Sequence, residues 1–176
     1  FEVTFLDVDS EGCVSVEDVE NAITDKTILI SVMLANNEIG TIEPVCEIGE
    51  IAHKHGILFH TDAVQAMCHV PINVTEMNID LLSASAHKFH GPKGVGFMYM
   101  KNTAKLEPFI HGGAQERARR AGTSNVPGIV GMGQAVKLAL GTLDKDTHTI
   151  INMRNYIVDR ILGEIPDVTF DGPCID

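Results

Sequence analysis

The chain has 176 residues, of which 44% are hydrophobic and 21% are charged, and this balance is typical of a folded globular domain rather than a disordered chain. A domain of this length buries roughly 70% of the surface that its unfolded chain exposes. The net charge of −11 argues against general nucleic-acid binding, which needs a basic surface. We therefore expect a folded protein that binds no nucleic acid directly.

The chain shows no sign of a membrane or an oxidising compartment. No run approaches the ~20 consecutive apolar residues of a membrane helix, and the opening FEVTFLDVD lacks the basic-then-apolar order of a secretion signal. The four cysteines, Cys13, Cys46, Cys68 and Cys174, form no CxxC pair, which favours reduced thiols over a zinc ribbon or a disulfide framework. We expect a cytoplasmic protein without membrane contact.

Apolar strands alternate with helices along the first hundred residues. Strands are predicted at residues 1–5, 27–35, 57–60, 79–83 and 95–100, and helices at 16–23 and 45–55. Ser15 followed by Asp18 resembles a capping box for the first helix, and Gly56 is placed to end the second. The alternation predicts an α/β fold, with a mainly parallel sheet covered by helices on both faces.

The last third of the chain is predicted to be helical. Asn125 is a suitable N-cap for a helix that runs to about Leu143, and a second helix follows residues 144–147. The segment 168–170 then reads as the start of a further strand. We predict one domain over residues 1–163 and a crossing into another domain over residues 164–176. Together with the abrupt start in a strand, this suggests part of a longer protein.

Polar side chains follow three of the predicted strands, at the point where each strand ends. They are Asn36, Asn37 and Glu38 after the first, Asp62 and Gln65 after the second, and Ser85, His87 and Lys88 after the third. Ligands of open α/β sheets bind beyond the carboxyl ends of the strands, so these groups are expected to share one rim. A lysine beside a phosphate-sized pocket, with an aspartate one strand away, is what pyridoxal phosphate requires. The amine forms a Schiff base with the aldehyde, and the acid keeps the pyridine nitrogen protonated.

Each residue alone also has a simpler explanation, with Asn37 in a turn, Asp62 as a helix cap and Lys88 as a solvated amine. The stretch HGPKGVG resembles a phosphate loop only faintly, because the GxxxxGK[ST] pattern is not present. His87 and His90 lack a third ligand in the local sequence, so no metal site is predicted.

Four separated stretches occur in an order that resembles one known family. They are MLANNEIGTIEPVCEIGEIAHKHG, FHTDAVQ, SASAHKFHGPKGVGFMYM and HGGAQERARRAGTSN. They resemble the NifS/IscS group of cysteine desulfurases, in the class V aminotransferase superfamily of pyridoxal-phosphate-dependent fold type I. The resemblance implies that the chain is a portion of the large, cofactor-binding domain.

The resemblance also implies roles for individual residues. Lys88, His87 and Asp62 would be catalytic, with Lys88 carrying the cofactor and Asp62 pairing with its pyridine nitrogen. Gln65 and Asn37 would lie near the ring hydroxyl, and Asn37 also near the substrate carboxylate. Ser85 and His87 would bind the phosphate. Thr123 would reach the phosphate of the neighbouring subunit's cofactor, so a homodimer is implied.

The family reaction removes sulfur from L-cysteine, leaves L-alanine and places the sulfur on an enzyme cysteine as a persulfide. The sulfur then passes to an iron–sulfur scaffold or another acceptor protein. None of the four cysteines stands in a context that matches the persulfide cysteine, so we expect this chain alone to be incomplete and inactive. Two alternatives remain open: another class V enzyme such as a selenocysteine lyase, or a truncated, non-catalytic protein.

Overall fold

The structure is a computed structural model that describes residues 1–173. Its centre is a four-stranded sheet whose strands lie side by side in chain order. The strands are β1 (Leu29–Met33), β2 (Leu58–Asp62), β3 (Leu81–Ser85) and β4 (Gly96–Met100). β1, β2 and β3 are parallel, and β4 runs antiparallel to β3. The predicted α/β fold with a mainly parallel sheet is confirmed.

Two helices precede β1 and β2 in the chain. The first, α1 (Val16–Asn21), is capped by Ser15, whose hydroxyl accepts a hydrogen bond from the amide of Asp18. The second, α2 (Val45–Lys54), ends just before Gly56, whose φ of +70° is a left-handed conformation that glycine adopts without strain. The start of α1 and the end of α2 therefore form where the sequence predicts them.

The main core lies between α2 and one face of the sheet. Because side chains alternate along a strand, only every second residue faces this core. Its buried members from the strands and α2 include Phe59, Leu82, Ile48 and Ala52. The opposite face of the sheet carries the half-exposed or exposed side chains of Ser31, His60 and Ser83 among others.

The remaining helices follow the sheet. A 3₁₀ turn, Ala86–Phe89, comes directly after β3, and a short distorted helix, α3 (Gln115–Ala118), precedes the long helix α4 (Val126–Glu164). Asn125 caps α4 by accepting a hydrogen bond from the amide of Gly128. α4 packs against the 3₁₀ turn through a second apolar cluster that includes Ala135, Ala86 and Phe89.

Three sequence predictions are wrong. Residues 1–5 form no strand, because a strand needs a hydrogen-bonded neighbour and this segment pairs with none within residues 1–173. The two predicted C-terminal helices are one, since residues 144–147 contain neither glycine nor proline and continue α4 without a break. Residues 168–170 are not a strand. Cys174 lies outside the described residues, and the predicted boundary at residues 163–164 stays a prediction.

Within residues 1–173, α4 is the one helix that is long and apolar enough to cross a membrane, by length and composition only. This corrects the expectation that no segment reaches such apolar content. A single helix of this kind is weak evidence for a membrane span, since helices of soluble proteins pass the same test. The absence of membrane contact stays a prediction.

Candidate functional site

A cleft opens at the carboxyl edge of the sheet. It has a volume of about 110 Å³ and is lined by Met33, Ala35, Asn37, Asp62, Val64, Gln65 and Lys88. Since β1, β2 and β3 are parallel, their carboxyl ends meet at this edge, where ligands of open α/β sheets bind. The fold therefore brings together four of the residues that the sequence singled out, namely Asn37, Asp62, Gln65 and Lys88.

A larger cavity of about 430 Å³ lies at the opposite edge, lined by residues such as Glu20, Thr27 and Ile57. Thr27 and Ile57 stand just before β1 and β2, so this cavity opens at the amino ends of the strands. It contains no lysine. We assign the candidate site to the smaller cleft, because the reactive side chains converge there.

Lys88 lies in the 3₁₀ turn after β3, between two buried anchors. Ala86 and Phe89, on either side of the His87–Lys88 pair, are 0% and 1% exposed. The turn ends at His90, whose φ of +65° is left-handed, and Gly91 then donates a backbone hydrogen bond to the carbonyl of Ala86 over 2.8 Å. These contacts hold the backbone that carries Lys88, one of the residues that line the cleft.

Gly91 approaches this turn so closely that a side chain would not fit. A Cβ atom on Gly91 would lie 2.8 Å from both the Cβ atom and the carbonyl oxygen of Ala86. The sequence AHKFHG therefore needs a glycine at this position to close the turn that presents Lys88.

Asp62 is the last residue of β2. Its Oδ1 accepts a hydrogen bond from the amide of Val64 over 2.8 Å. Within the described chain this is the one hydrogen bond that the carboxylate makes to protein, so Oδ2 is left for a ligand. The helix-cap explanation of Asp62 is thus only partly met, because the amide that it binds belongs to a turn.

Asn37 lines the cleft, while its neighbour Asn36 holds the turn after β1. The side-chain oxygen of Asn36 accepts hydrogen bonds from the amides of Glu38 and Ile39, at 2.8 and 3.1 Å. Because Asn36 performs the turn role, the amide group of Asn37 is available at the cleft.

Ser85 and His87 form a pair beside the cleft. The Ser85 hydroxyl and Nδ1 of His87 are 3.0 Å apart, at hydrogen-bonding distance. Neither residue is among those that line the cleft, and Thr123 is not among them either. Thr123 is an exposed residue of the loop between α3 and α4. The predicted phosphate contacts of these three residues stay predictions.

Two histidines near the site were not predicted from the sequence. His69 bonds through Nε2 to the carbonyl oxygen of Lys88 over 3.0 Å. His60, on β2, contacts serines on both neighbouring strands. Burial lowers the pKa of His60, and the nearby charge of Asp62 partly opposes this. His60 could have been found from the sequence, because it is a polar residue in the apolar strand ILFH. No sequence feature marks His69, which lies in the loop that follows.

The described part of the chain contains no group of three or more histidine, cysteine or acidic side chains placed to hold a metal ion. Three of the cysteines are free thiols. Burial raises the pKa of Cys13, Cys46 and Cys68, and neighbouring carboxylates raise that of Cys13 and Cys46 further. Each thiol is therefore less ionised near neutral pH than an ordinary cysteine.

The fold and the cleft define an α/β protein with a lysine amine at the carboxyl edge of a mainly parallel sheet. The aminotransferase class-V family model matches residues 1–174. The chain belongs to this family. It is 58% identical over 173 residues to a protein of Clostridium botulinum (strain Hall) named cysteine desulfurase IscS, and the match covers 98% of this chain but 44% of that relative.

Solved structures agree with this assignment. One described as a NifS-like protein matches with a TM-score of 0.89 and 42% identity, over 93% of this chain and 45% of that one. Another, described as SspA in complex with cysteine, matches with a TM-score of 0.76 and 48% identity, over 78% of this chain and 40% of that one. The chain thus spans less than half the length of these relatives.

Proposed function

We propose that the chain is the cofactor-binding part of a cysteine desulfurase that uses pyridoxal phosphate. The observation that carries this proposal is that Lys88 and Asp62 line one cleft. The relative named cysteine desulfurase IscS supports the choice of reaction. The solved structure described as a complex with cysteine supports L-cysteine as substrate.

The residues at and beside the cleft fit this cofactor. Lys88 supplies the amine for covalent attachment, and Asp62 has a carboxylate oxygen to hold the proton on the pyridine nitrogen. Asn37 and Gln65 supply amides for the ring hydroxyl, and Asn37 also for the substrate carboxylate. The Ser85–His87 pair supplies a hydroxyl and an imidazole for the phosphate.

When bound, pyridoxal phosphate supplies an electron sink for the bonds at the substrate's α-carbon. The chain's own contribution is positioning and proton transfer. Asp62 would keep the ring nitrogen protonated, which would strengthen the electron sink. Lys88, once its amine is free, would be the base that moves the proton at the α-carbon. Loss of Asp62 would therefore weaken the electron sink, whereas loss of Lys88 would remove the base.

The sulfur-accepting thiol is a separate requirement. The nucleophile must be a thiolate, and burial raises the pKa of Cys13, Cys46 and Cys68. None of these three, nor Cys174, stands in a sequence context that matches the persulfide cysteine. We infer that the persulfide cysteine lies outside this chain and that the sulfur passes from it to an iron–sulfur scaffold or another acceptor protein.

The proposal includes a homodimer and a cytoplasmic location. A residue that contributes to a neighbouring subunit's site has to be exposed in the single subunit. Thr123, in the loop between α3 and α4, is exposed. Its basic neighbours Arg117, Arg119 and Arg120 are exposed as well. Exposure of this loop supports a role at a subunit contact.

The test is covalent trapping of the cofactor on the full-length protein that carries this chain. Borohydride reduces a lysine–aldehyde linkage to a stable amine, so peptide mass mapping after reduction should find the pyridoxyl group on Lys88. Lys88→Ala should abolish the label, and the matched control Lys93→Ala should retain it. A label on Lys93 or Lys101, or no label at all, would overturn the proposal.

A further inference from the structure

Three polar side chains cross the sheet in a continuous row. The Ser31 hydroxyl on β1 lies 2.8 Å from Nδ1 of His60 on β2, and Nε2 of His60 lies 2.9 Å from the Ser83 hydroxyl on β3. We call Ser31, His60 and Ser83 the cross-strand bridge. It joins by side chains the three parallel strands whose ends form the cleft.

The bridge stands on the same face of the sheet as the residues at the strand ends. Side chains two apart on a strand share a face, so Ser31 lies behind Met33 on β1, and Ser83 lies behind Ser85 on β3. His60 likewise lies behind Asp62 on β2. In the sheet register Ser31 is opposite His60, and Asp62 is opposite both Met33 and Ser83. Asp62 therefore lies next to the bridge, two residues after His60 on β2 and opposite Ser83 on β3.

The chemistry of the bridge suits a neutral imidazole. A neutral ring has one nitrogen that donates and one that accepts, and a serine hydroxyl can do either. Both ring nitrogens of His60 are thus satisfied without a positive charge. Burial favours this form by lowering the pKa of His60. A neutral His60 does not compete with a ligand for the charge of Asp62.

We propose that His60 is a positioning residue that aligns Asp62 with the cofactor ring by fixing β2 between β1 and β3 through the cross-strand bridge. The inference rests on the proposed function, because it concerns the same cofactor. His60 touches no residue that would react. It acts through the strand that Asp62 terminates, where a small displacement changes the fit of a charged hydrogen bond.

The experiment is a double-mutant cycle on the affinity of the full-length protein for pyridoxal phosphate, measured by absorbance titration. His60→Gln, which cannot reach both serines, should weaken binding roughly threefold to tenfold, because a displaced Asp62 loses part of its charged hydrogen bond to the ring. The same change made in an Asp62→Asn background should alter the affinity less than twofold. His53→Gln, on the exposed surface of α2, is the matched control and should bind as wild type does.

Coupling to Asp62 separates positioning from general destabilisation. If His60→Gln weakens binding equally with and without the Asp62 carboxylate, or not at all, the positioning role is refuted. Ser31→Ala removes one hydroxyl and keeps the imidazole, so it provides the same cycle if His60→Gln does not fold. A wild-type protein that binds no pyridoxal phosphate would instead refute the proposed function, and this inference with it.

Discussion

His69 donates a hydrogen bond from Nε2 to the carbonyl oxygen of Lys88 over 3.0 Å. A carbonyl only accepts, so the ring carries its proton on Nε2. His69 belongs to the loop after β2, whereas Lys88 belongs to the turn after β3. The bond therefore ties the loop that follows Asp62 to the turn that carries Lys88.

Removing this bond should loosen the lysine turn modestly. His69→Ala should lower the free energy of unfolding by about 0.5–1.5 kcal/mol, the usual net contribution of one hydrogen bond, and toward the low end because His69 is exposed. Urea denaturation measures the change. His53→Ala is the control, and an equal loss in both variants would show that the bond to Lys88 contributes nothing.

Any side chain at Gly49 in α2 should lower the stability of the fold. A Cβ atom on Gly49 would overlap the carbonyl oxygen of Met77, a backbone atom that cannot move aside cheaply. Gly49→Ala should therefore cost about 1–3 kcal/mol of stability. Gly133→Ala in α4 meets nothing within 4 Å, and should gain about 0.5–1 kcal/mol because alanine is the better helix former. Thermal unfolding of both variants tests the contrast, which disappears if the two shifts have the same sign.

His60 should make stability depend on pH. Its pKa in the folded protein lies below the ordinary value of 6.5, because burial disfavours the charged ring. Above pH 6.5 the ring is neutral in both the folded and unfolded states, and its contribution to stability is fully present. As the pH falls from 6.5 through the lowered pKa, the unfolded chain takes up a proton more readily, so stability is lost.

His60→Gln should remove this component. The fall in melting temperature between pH 7.5 and pH 5.5 should therefore be smaller in the variant than in wild type. Carboxylates titrate in both proteins and cancel in the comparison. An identical fall in the two proteins would mean that the pKa of His60 is the same in the folded and unfolded states, which contradicts the prediction.

Asp80 should matter more to stability than its ion pair suggests. Its Oδ2 accepts a hydrogen bond from the amide of Phe59 over 3.0 Å, and its Oδ1 lies 3.1 Å from Nζ of Lys101. Asp80→Ala leaves the amide of Phe59 without this acceptor and should cost about 1–3 kcal/mol. Lys101→Ala removes only a partly exposed ion pair and should cost under about 1 kcal/mol. Equal losses in urea denaturation would assign the effect to the ion pair instead.

The sheet and the helices before each of its first two strands could be predicted from the sequence because their signals are local. Ser15 and Gly56 mark helix ends by their own chemistry, and the apolar strands are separated by recognisable turns. The direction of β4 and the continuity of α4 were not predicted. The first depends on how β4 pairs with β3, and the second on residues 144–147 that are compatible with either a helix or a loop.

The cleft could be predicted in part for the same reason. Asn37, Asp62, Gln65 and Lys88 each follow a strand, and parallel strands bring such positions to one edge. The contacts of His60 and His69 could not be predicted, because each partner lies 19 or more residues away along the chain. Sequence patterns show which residues a strand presents, but not which neighbour a side chain meets.

The antiparallel pairing of β3 with β4 has a consequence for the order in which the site assembles. The chain turns back directly after Lys88, so β3 and β4 meet across a short loop, whereas the pairings of β1 with β2 and β2 with β3 close longer ones. Short loops close at lower entropic cost. We expect the lysine turn to form early during folding, and the aspartate and asparagine to join it only when the parallel strands dock.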